Sequence, residues 1–297
     1  MKKDIFSESS RLDSIANVVR KVFKRWDYKE IFLPSVTEYD ERLRKGLKTA
    51  SENKFYTVCP DPTSQISFDF EDEAPLRKYY IREILDDIDG TLQGGVEYIC
   101  DDPLVSKVEI LNVLISLLEE LKIKEFYVDI GSLKVWKEAI QDISSYKNDI
   151  FKALKRRNLS LIDDLDIEKE KKEDLWTLLN TRGKTSGYKR IDELIEMIED
   201  ERFYADLGTV RPLPYYDDII FEIYSPEIGT PLGAGGDYKL NGFYGCGFAL
   251  NIELLSEVSR VKSDEDPIIV KGNLKTSYKK ARRLVKEGNK VRMEEIK

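Results

Sequence analysis

The chain has 297 residues, 41 % of them hydrophobic and 35 % charged, and a formal net charge of −8. That apolar content excludes wholesale disorder and suits one large domain or two ordinary ones, while the negative balance argues against nucleic acid or an anionic membrane as partner. There is no histidine, which excludes histidine general bases, Ser-His and Cys-His nucleophiles and His-ligated metals.

The three cysteines, Cys59, Cys100 and Cys246, are scattered. They suit reduced thiols rather than a metal site or disulfide framework. No apolar run approaches membrane-spanning length, and Met1-Lys2-Lys3-Asp4 leads into no signal sequence, so the expectation is a cytoplasmic protein needing no metal or cofactor.

In chain order, residues 8–26 predict a helix, with Leu12, Ile15, Val18, Val19, Val22, Phe23 and Trp26 on one stripe. Glu30–Pro34 reads as a strand closed by proline. This helix and strand suit either a dimer element or packing within one core. Residues 54–59 and 64–70 predict a hairpin across Pro60-Asp61-Pro62-Thr63. Strands follow at 78–85 and 91–99. In the second, Gln93, Gly95 and Glu97 share one face by the two-residue period. An amide and a carboxylate flanking a position without a side chain suit a small amine-bearing ligand; a solvated sheet face fits the same pattern.

Residues 102–121 predict a helix with Val105, Val108, Leu111, Leu114, Ile115 and Leu118 inward and Pro103 in its first turn. A strand at 125–130 and a short helix at 132–141 carrying Trp136 come next. Residues 145–202 are rich in Lys, Glu and Asp with helical apolar spacing, which reads as a helical insertion between two halves of one sheet. A helix is expected from Asn251 to about Val261, then strand, helix and strand over 267–293. Residues 271–297 hold 10 Lys or Arg against 3 Asp or Glu, a local +7 that leaves −15 for residues 1–270. The domain expectation is a core over 1–262 and a short basic extension over 263–297.

Between Asp206 and Asn251 the chain gathers Arg211, Tyr215, Tyr216 and Glu222 around strand-like runs, with a glycine-dense turn expected at Gly233, Gly235 and Gly236. An arginine beside two phenols is a good carboxylate receptor, because the guanidinium gives two parallel donors. A plain meander, with half-buried tyrosines and a surface arginine, fits the spacing too.

Here the residues carry a resemblance. Val210-Arg211, Leu213, Tyr215-Tyr216 and Phe221-Glu222, followed by Gly235-Gly236-Asp237-Tyr238-Lys239 and Gly247–Leu255, resemble the class II catalytic core of histidyl-tRNA synthetases. In particular they resemble that core's non-catalytic relatives, the regulatory subunits of ATP phosphoribosyltransferase. The likeness covers roughly residues 8–260. It implies an α+β fold, an antiparallel sheet flanked by helices, dimeric through the 8–40 region. It also implies that Gln93 and Glu97 hold a ligand's α-amino group, that Arg211 lies near its carboxylate, and that Tyr215, Tyr216 and Tyr238 frame its side chain. For the acidic residue that the family places before motif 2, Asp69 and Glu71 are the candidates.

Two departures accompany these matches. The resemblance places a phosphate-gripping arginine where Asp86 stands, and a second, ATP-contacting arginine where Leu254 stands. Arginines at such points act by offsetting phosphate charge in a site with little water. The expectation is therefore a non-catalytic regulatory subunit that pairs with an ATP phosphoribosyltransferase catalytic chain and relays histidine feedback in histidine biosynthesis. The alternatives are a truncated synthetase-like ligase activating an amino acid, or a free-standing amino-acid sensor or synthetase accessory protein.

Overall fold

The computed structural model describes residues 5–43, 47–51, 54–71, 73–86, 89–156, 160–210, 213, 215–261 and 266–294. Residues 15–260 form one compact unit; residues 1–14 and 261–297 form another. In chain order, the first elements are α1 (Ile5–Arg25), β1 (Lys29–Glu30), β2 (Val36–Glu38), β3 (Leu47–Ser51), β4 (Lys54–Val58) and α2 (Pro62–Phe68). The centre of the chain supplies β5 (Leu76–Asp86), β6 (Asp89–Cys100), α3 (Pro103–Glu120), β7 (Tyr127–Ser132) and α4 (Leu133–Ala139). Then come α5 (Lys147–Lys155), α6 (Ser160–Asp163), α7 (Lys169–Asn180), β8 (Arg182–Gly183), α8 (Lys189–Ile198) and β9 (Phe203–Asp206). Last are β10 (Tyr216–Tyr224), β11 (Gly233–Leu240), β12 (Phe243–Asn251), α9 (Ile252–Val258), β13 (Ile268–Lys271), α10 (Leu274–Lys286) and β14 (Val291–Glu294).

Among the described residues, nine strands make the main sheet, in the order β1-β5-β6-β12-β11-β10-β7-β9-β8. Pairing is antiparallel except between β1 and β5 and between β7 and β9. The expected α+β architecture, a largely antiparallel sheet flanked by helices, is the one found. A helical insertion, α5 to α8, stands between β7 and β9 as the charge-rich composition predicts. The C-terminal strand-helix-strand also forms: β13 pairs in parallel with β14, and α10 buries Ala281.

Three local expectations are corrected. Residues 64–70 are not the second strand of a hairpin, because Pro62–Phe68 is a helix. Asp61 caps it by accepting from the Ser64 amide at 2.9 Å, and Pro62 at the first helical position costs no hydrogen bond there. The strand at 54–58 pairs instead with β2 and β3. The predicted 30–34 strand is only Lys29–Glu30, bonded beside Tyr79. Finally, Gly233, Gly235 and Gly236 do not form a turn; all three lie inside β11, paired to β10 and β12. Glycine there serves close packing: a Cβ at Gly235 would overlap the Phe221 ring and the Gly247 carbonyl.

One face of the sheet is structural. Phe23 of α1 packs on Tyr79 and Phe248, with ring centroids 5.2 and 6.0 Å apart. α3 starts on Asp102, whose carboxylate accepts from the Leu104 and Val105 amides. This helix lies between the sheet and α8, so it buries Ile110, Val113 and Leu117 as well as Leu111, Leu114 and Leu118. Val105, predicted inward, is 47 % exposed, since the first turn projects past the sheet.

Two polar clasps tie α3 to the strands. The Arg77 guanidinium donates to both oxygens of Glu109, at 2.7 and 2.8 Å. Deeper in, Lys107 Nζ donates to Asp237 Oδ2 at 3.1 Å, with both side chains about nine-tenths buried. The other oxygen, Asp237 Oδ1, accepts the Asp218 and Ile219 amides at 2.9 and 2.8 Å. Burial pushes the Asp237 carboxyl up, and Lys107 opposes that push. Removing one partner of such a pair leaves the other charge buried and uncompensated, at a cost of about 3–5 kcal/mol. Lys107→Met is expected to lower unfolding stability by roughly that amount, read by urea denaturation at pH 7. A loss below about 1 kcal/mol would show the pair to be dispensable.

Candidate functional site

The opposite face of the same sheet carries a trough. Where β6, β12 and β11 lie side by side, Gly95 pairs with Ala249 and Ala249 with Ala234; Glu97 pairs with Gly247 and Gly247 with Gly236. Paired residues of an antiparallel ladder project to the same side, so the floor is almost free of side chains. The emptiness is used. A Cβ at Gly95 would overlap the Tyr80 phenol, and one at Gly247 would overlap the Glu97 carboxylate. The resulting cavity holds about 180 Å³. That is below the roughly 300–1,000 Å³ of drug-sized ligand pockets, which points to a small ligand.

Its polar group at the centre is Glu97. The side chain is 3 % exposed, accepts from Thr63 Oγ1 at 2.6 Å on one oxygen and from the Tyr238 hydroxyl at 2.9 Å on the other. Burial pushes its carboxyl up to about 7, against the downward pull of those two hydrogen bonds, and the nearby Asp61 charge pushes the same way as burial. Asp61 also lines the cavity, at the N-terminus of α2. Around these acids stand phenols. Tyr215 meets Tyr216 edge-on at 4.8 Å between centroids and Tyr238 at 6.4 Å. Burial, with the acids added, pushes the Tyr80, Tyr215 and Tyr238 hydroxyls well up, so each stays a neutral donor.

Gln93, Glu97, Tyr215, Tyr216 and Tyr238, expected from sequence to share a site, all line this one cavity. Gly233 and Gly236 line it as well, whereas Gly235 is not among its lining residues. Arg211 lies outside the described residues. Asp69 and Glu71 line a different hollow with Ile31, Leu33 and Phe70. The acid facing the trough is Asp61, which the expected hairpin had hidden in a turn, together with Thr63 and Tyr80. An Asp-Pro pair that caps a helix was the available signal. Among the described residues, no Lys or Arg lines the cavity, and no group of three or more His, Cys, Asp or Glu is arranged to hold a metal.

The raised Glu97 carboxyl makes a stability prediction with a definite sign. Its folded value, about 7, lies above the ordinary carboxyl value of 4.5. The native state therefore holds this proton more tightly, and the associated stability is full below about pH 4.5 and lost as pH rises through about 7. A shift of this size corresponds to roughly 3 kcal/mol. Because the chain has no histidine, few other groups titrate there. Urea denaturation of Glu97→Gln at pH 5, 6, 7 and 8 should show a flatter pH dependence than the parent. Parallel curves would refute the assignment.

With this geometry in hand, comparison with known proteins is informative. The histidyl-tRNA synthetase family model matches residues 74–190 and 178–255. The ATP phosphoribosyltransferase regulatory subunit of Caldanaerobacter subterraneus subsp. tengcongensis is 27 % identical over 338 aligned residues, covering 94 % of this chain and 89 % of that one. A solved ATP phosphoribosyltransferase regulatory subunit/histidyl-tRNA synthetase from Bacillus halodurans superposes with a TM-score of 0.75 at 19 % identity, covering 100 % of this chain and 91 % of its own. The ATP phosphoribosyl transferase (HisG:HisZ) complex from Thermotoga maritima contains a chain matching at TM-score 0.66 and 16 % identity, covering 82 % of this chain and 97 % of its own. The family match spans more than half of the sequence, and the solved structure superposes over the whole chain: the chain belongs to the histidyl-tRNA synthetase family and has its class II synthetase-like fold.

Proposed function

We propose that this chain is a non-catalytic regulatory subunit of an ATP phosphoribosyltransferase, assisting a separate catalytic chain in histidine biosynthesis and relaying histidine feedback to it. The observation that carries the reading is the make-up of the trough. Its amino-acid end is furnished: Asp61, Gln93 and Glu97 for an α-amino group, Tyr215, Tyr216 and Tyr238 around a side chain. Leu254 also lines the trough, at the position where the family resemblance implies an ATP-contacting arginine. Asp86 stands where the resemblance implies the phosphate-gripping one. Losing a charge-assisted contact to phosphate costs a few kcal/mol, and placing a carboxylate there adds repulsion. The names borne by the relatives support the same assignment.

In this role the chain binds histidine in the trough, and the bound state biases the partner through a coupling free energy between the two sites. The Arg211 guanidinium lies near the ligand carboxylate by resemblance. The protein works in the cytoplasm; among the described residues no helix is long and apolar enough to cross a membrane. It pairs with a second copy through the 8–40 region, where Phe32 is 90 % and Val36 55 % exposed. Residues 1–262 act as the synthetase-like core and 263–297 as a basic extension.

Two measurements test the proposal. Purified protein should support no ATP–pyrophosphate exchange with histidine, and it should co-elute with a phosphoribosyltransferase catalytic chain that lacks a regulatory domain of its own. Robust exchange would favour a truncated synthetase-like ligase instead. Histidine at a hundredfold excess over Kd should stabilise the fold by about 2.7 kcal/mol. Arg211→Ala should abolish that gain while keeping the unliganded Tm; equal calorimetric titrations for parent and variant would count against the pocket's use.

A further inference from the structure

We infer that Arg82 is a carboxylate receptor of this pocket, reading the ligand's acid end; the inference rests on the reading that the trough holds a free amino acid. A free amino acid is a zwitterion, so a pocket selective for it needs charge of both signs. The described lining supplies one sign only, the Asp61 and Glu97 carboxylates, with neutral phenols and amides beside them. Arg82 is placed to supply the other. It lies on β5 directly opposite Gln93 of β6, and such cross-strand neighbours share a face with Cβ atoms about 4.5–5.5 Å apart. Tyr80, two residues back on that face, lines the cavity as Gln93 does. The Arg82 charge is felt at the Tyr80 phenol, where it opposes the upward push of burial.

The guanidinium is held but not satisfied. Nη1 donates to the Gln65 amide oxygen at 2.7 Å, which fixes the plane against α2. Nε makes only a 3.4 Å contact with the Glu83 carbonyl, and Nη2 is buried with no hydrogen bond among the described residues. Both acceptors are neutral. An unpaired buried donor on a cation is costly, and such a group in a native fold calls for an acceptor. A carboxylate offers about four lone-pair sites and can take two guanidinium groups at once.

Histidine and its decarboxylated counterpart histamine separate the possibilities, since they differ in the one group Arg82 would read. Calorimetric titration of the full chain, Arg82→Gln and Arg82→Lys at pH 8 gives the answer, with Tm recorded for each. The expected result is a fall of about 10- to 100-fold in histidine affinity for Arg82→Gln, with histamine affinity within about twofold of the parent. Arg82→Lys should recover part of the histidine affinity. Equal losses for both ligands would make Arg82 a structural support for Gln65 and overturn the assignment; so would unchanged histidine binding, or unfolding of both variants. A parent protein that binds neither compound would overturn the amino-acid reading itself and this inference with it, an outcome distinct from the others.

Discussion

The arrangement that the site depends on is one carboxylate that, among the described residues, is held by two hydroxyls and no cation. Glu97 sits in a strand at the middle of the sheet, nearly sealed from solvent, gripped by Thr63 from one side and Tyr238 from the other. A carboxylate removed from water needs compensation, and two hydroxyl donors supply only part of it. The remainder appears as a proton affinity near neutrality, or as a demand for an ammonium ligand. Much of the surrounding design follows from accommodating that group. Gly247 must be glycine because the carboxylate occupies the space of its side chain. α2 must begin at Pro62 so that Thr63 reaches Glu97 and Asp61 reaches the trough. Tyr238 is kept protonated by burial, which suits it to donate rather than accept.

The two faces of the sheet divide labour by the alternation of the strands. Along β11, Ala234, Gly236 and Tyr238 turn to the trough, while Asp237 turns to α3. Asp237 takes the place that the family pattern gives to an arginine in its Gly-Gly-Arg-Tyr-Asp run. Here the acid is balanced by Lys107 and by two amides of β10. That interaction anchors the strand whose next residue, Tyr238, holds Glu97. Packing on one face therefore sets hydrogen bonding on the other, through residues adjacent in sequence.

The described lining of the pocket combines two carboxylates, Asp61 and Glu97, with the phenols of Tyr80, Tyr215, Tyr216 and Tyr238, and includes no Lys or Arg. Electrostatic stabilisation of phosphates requires preorganised positive charge, which a leucine such as Leu254 cannot provide. In the role proposed above the pocket is a receptor, and coupling a receptor to a partner's activity requires only that binding differ between two states.

Much of this was legible in the sequence, for identifiable reasons. Long periodic segments, α1, α3, β5 and β6, could be read because hydrophobic spacing reports one buried face directly. The two-residue period put Gln93, Gly95 and Glu97 together, and the 206–251 block carried the family resemblance. What misread was local chemistry overruled by context. Asp61-Pro62 reads equally as a turn or a helix cap, and only the packing of Ile66 and Gln65 beneath the chain selects the helix. Dense glycine suggests a turn, yet Gly233, Gly235 and Gly236 are strand residues whose missing side chains make room for neighbours from β10 and β12. Sequence by itself determined the shared face of Gln93, Gly95 and Glu97, which follows from the two-residue period, and, through the family resemblance of its motifs, the fold class and the tyrosines that line the cavity. Only the tertiary structure decided that Asp61, Thr63, Tyr80 and Arg82 belong to the same neighbourhood, because their proximity arises from strand register and from α2 folding over the sheet, and neither is encoded within any one segment.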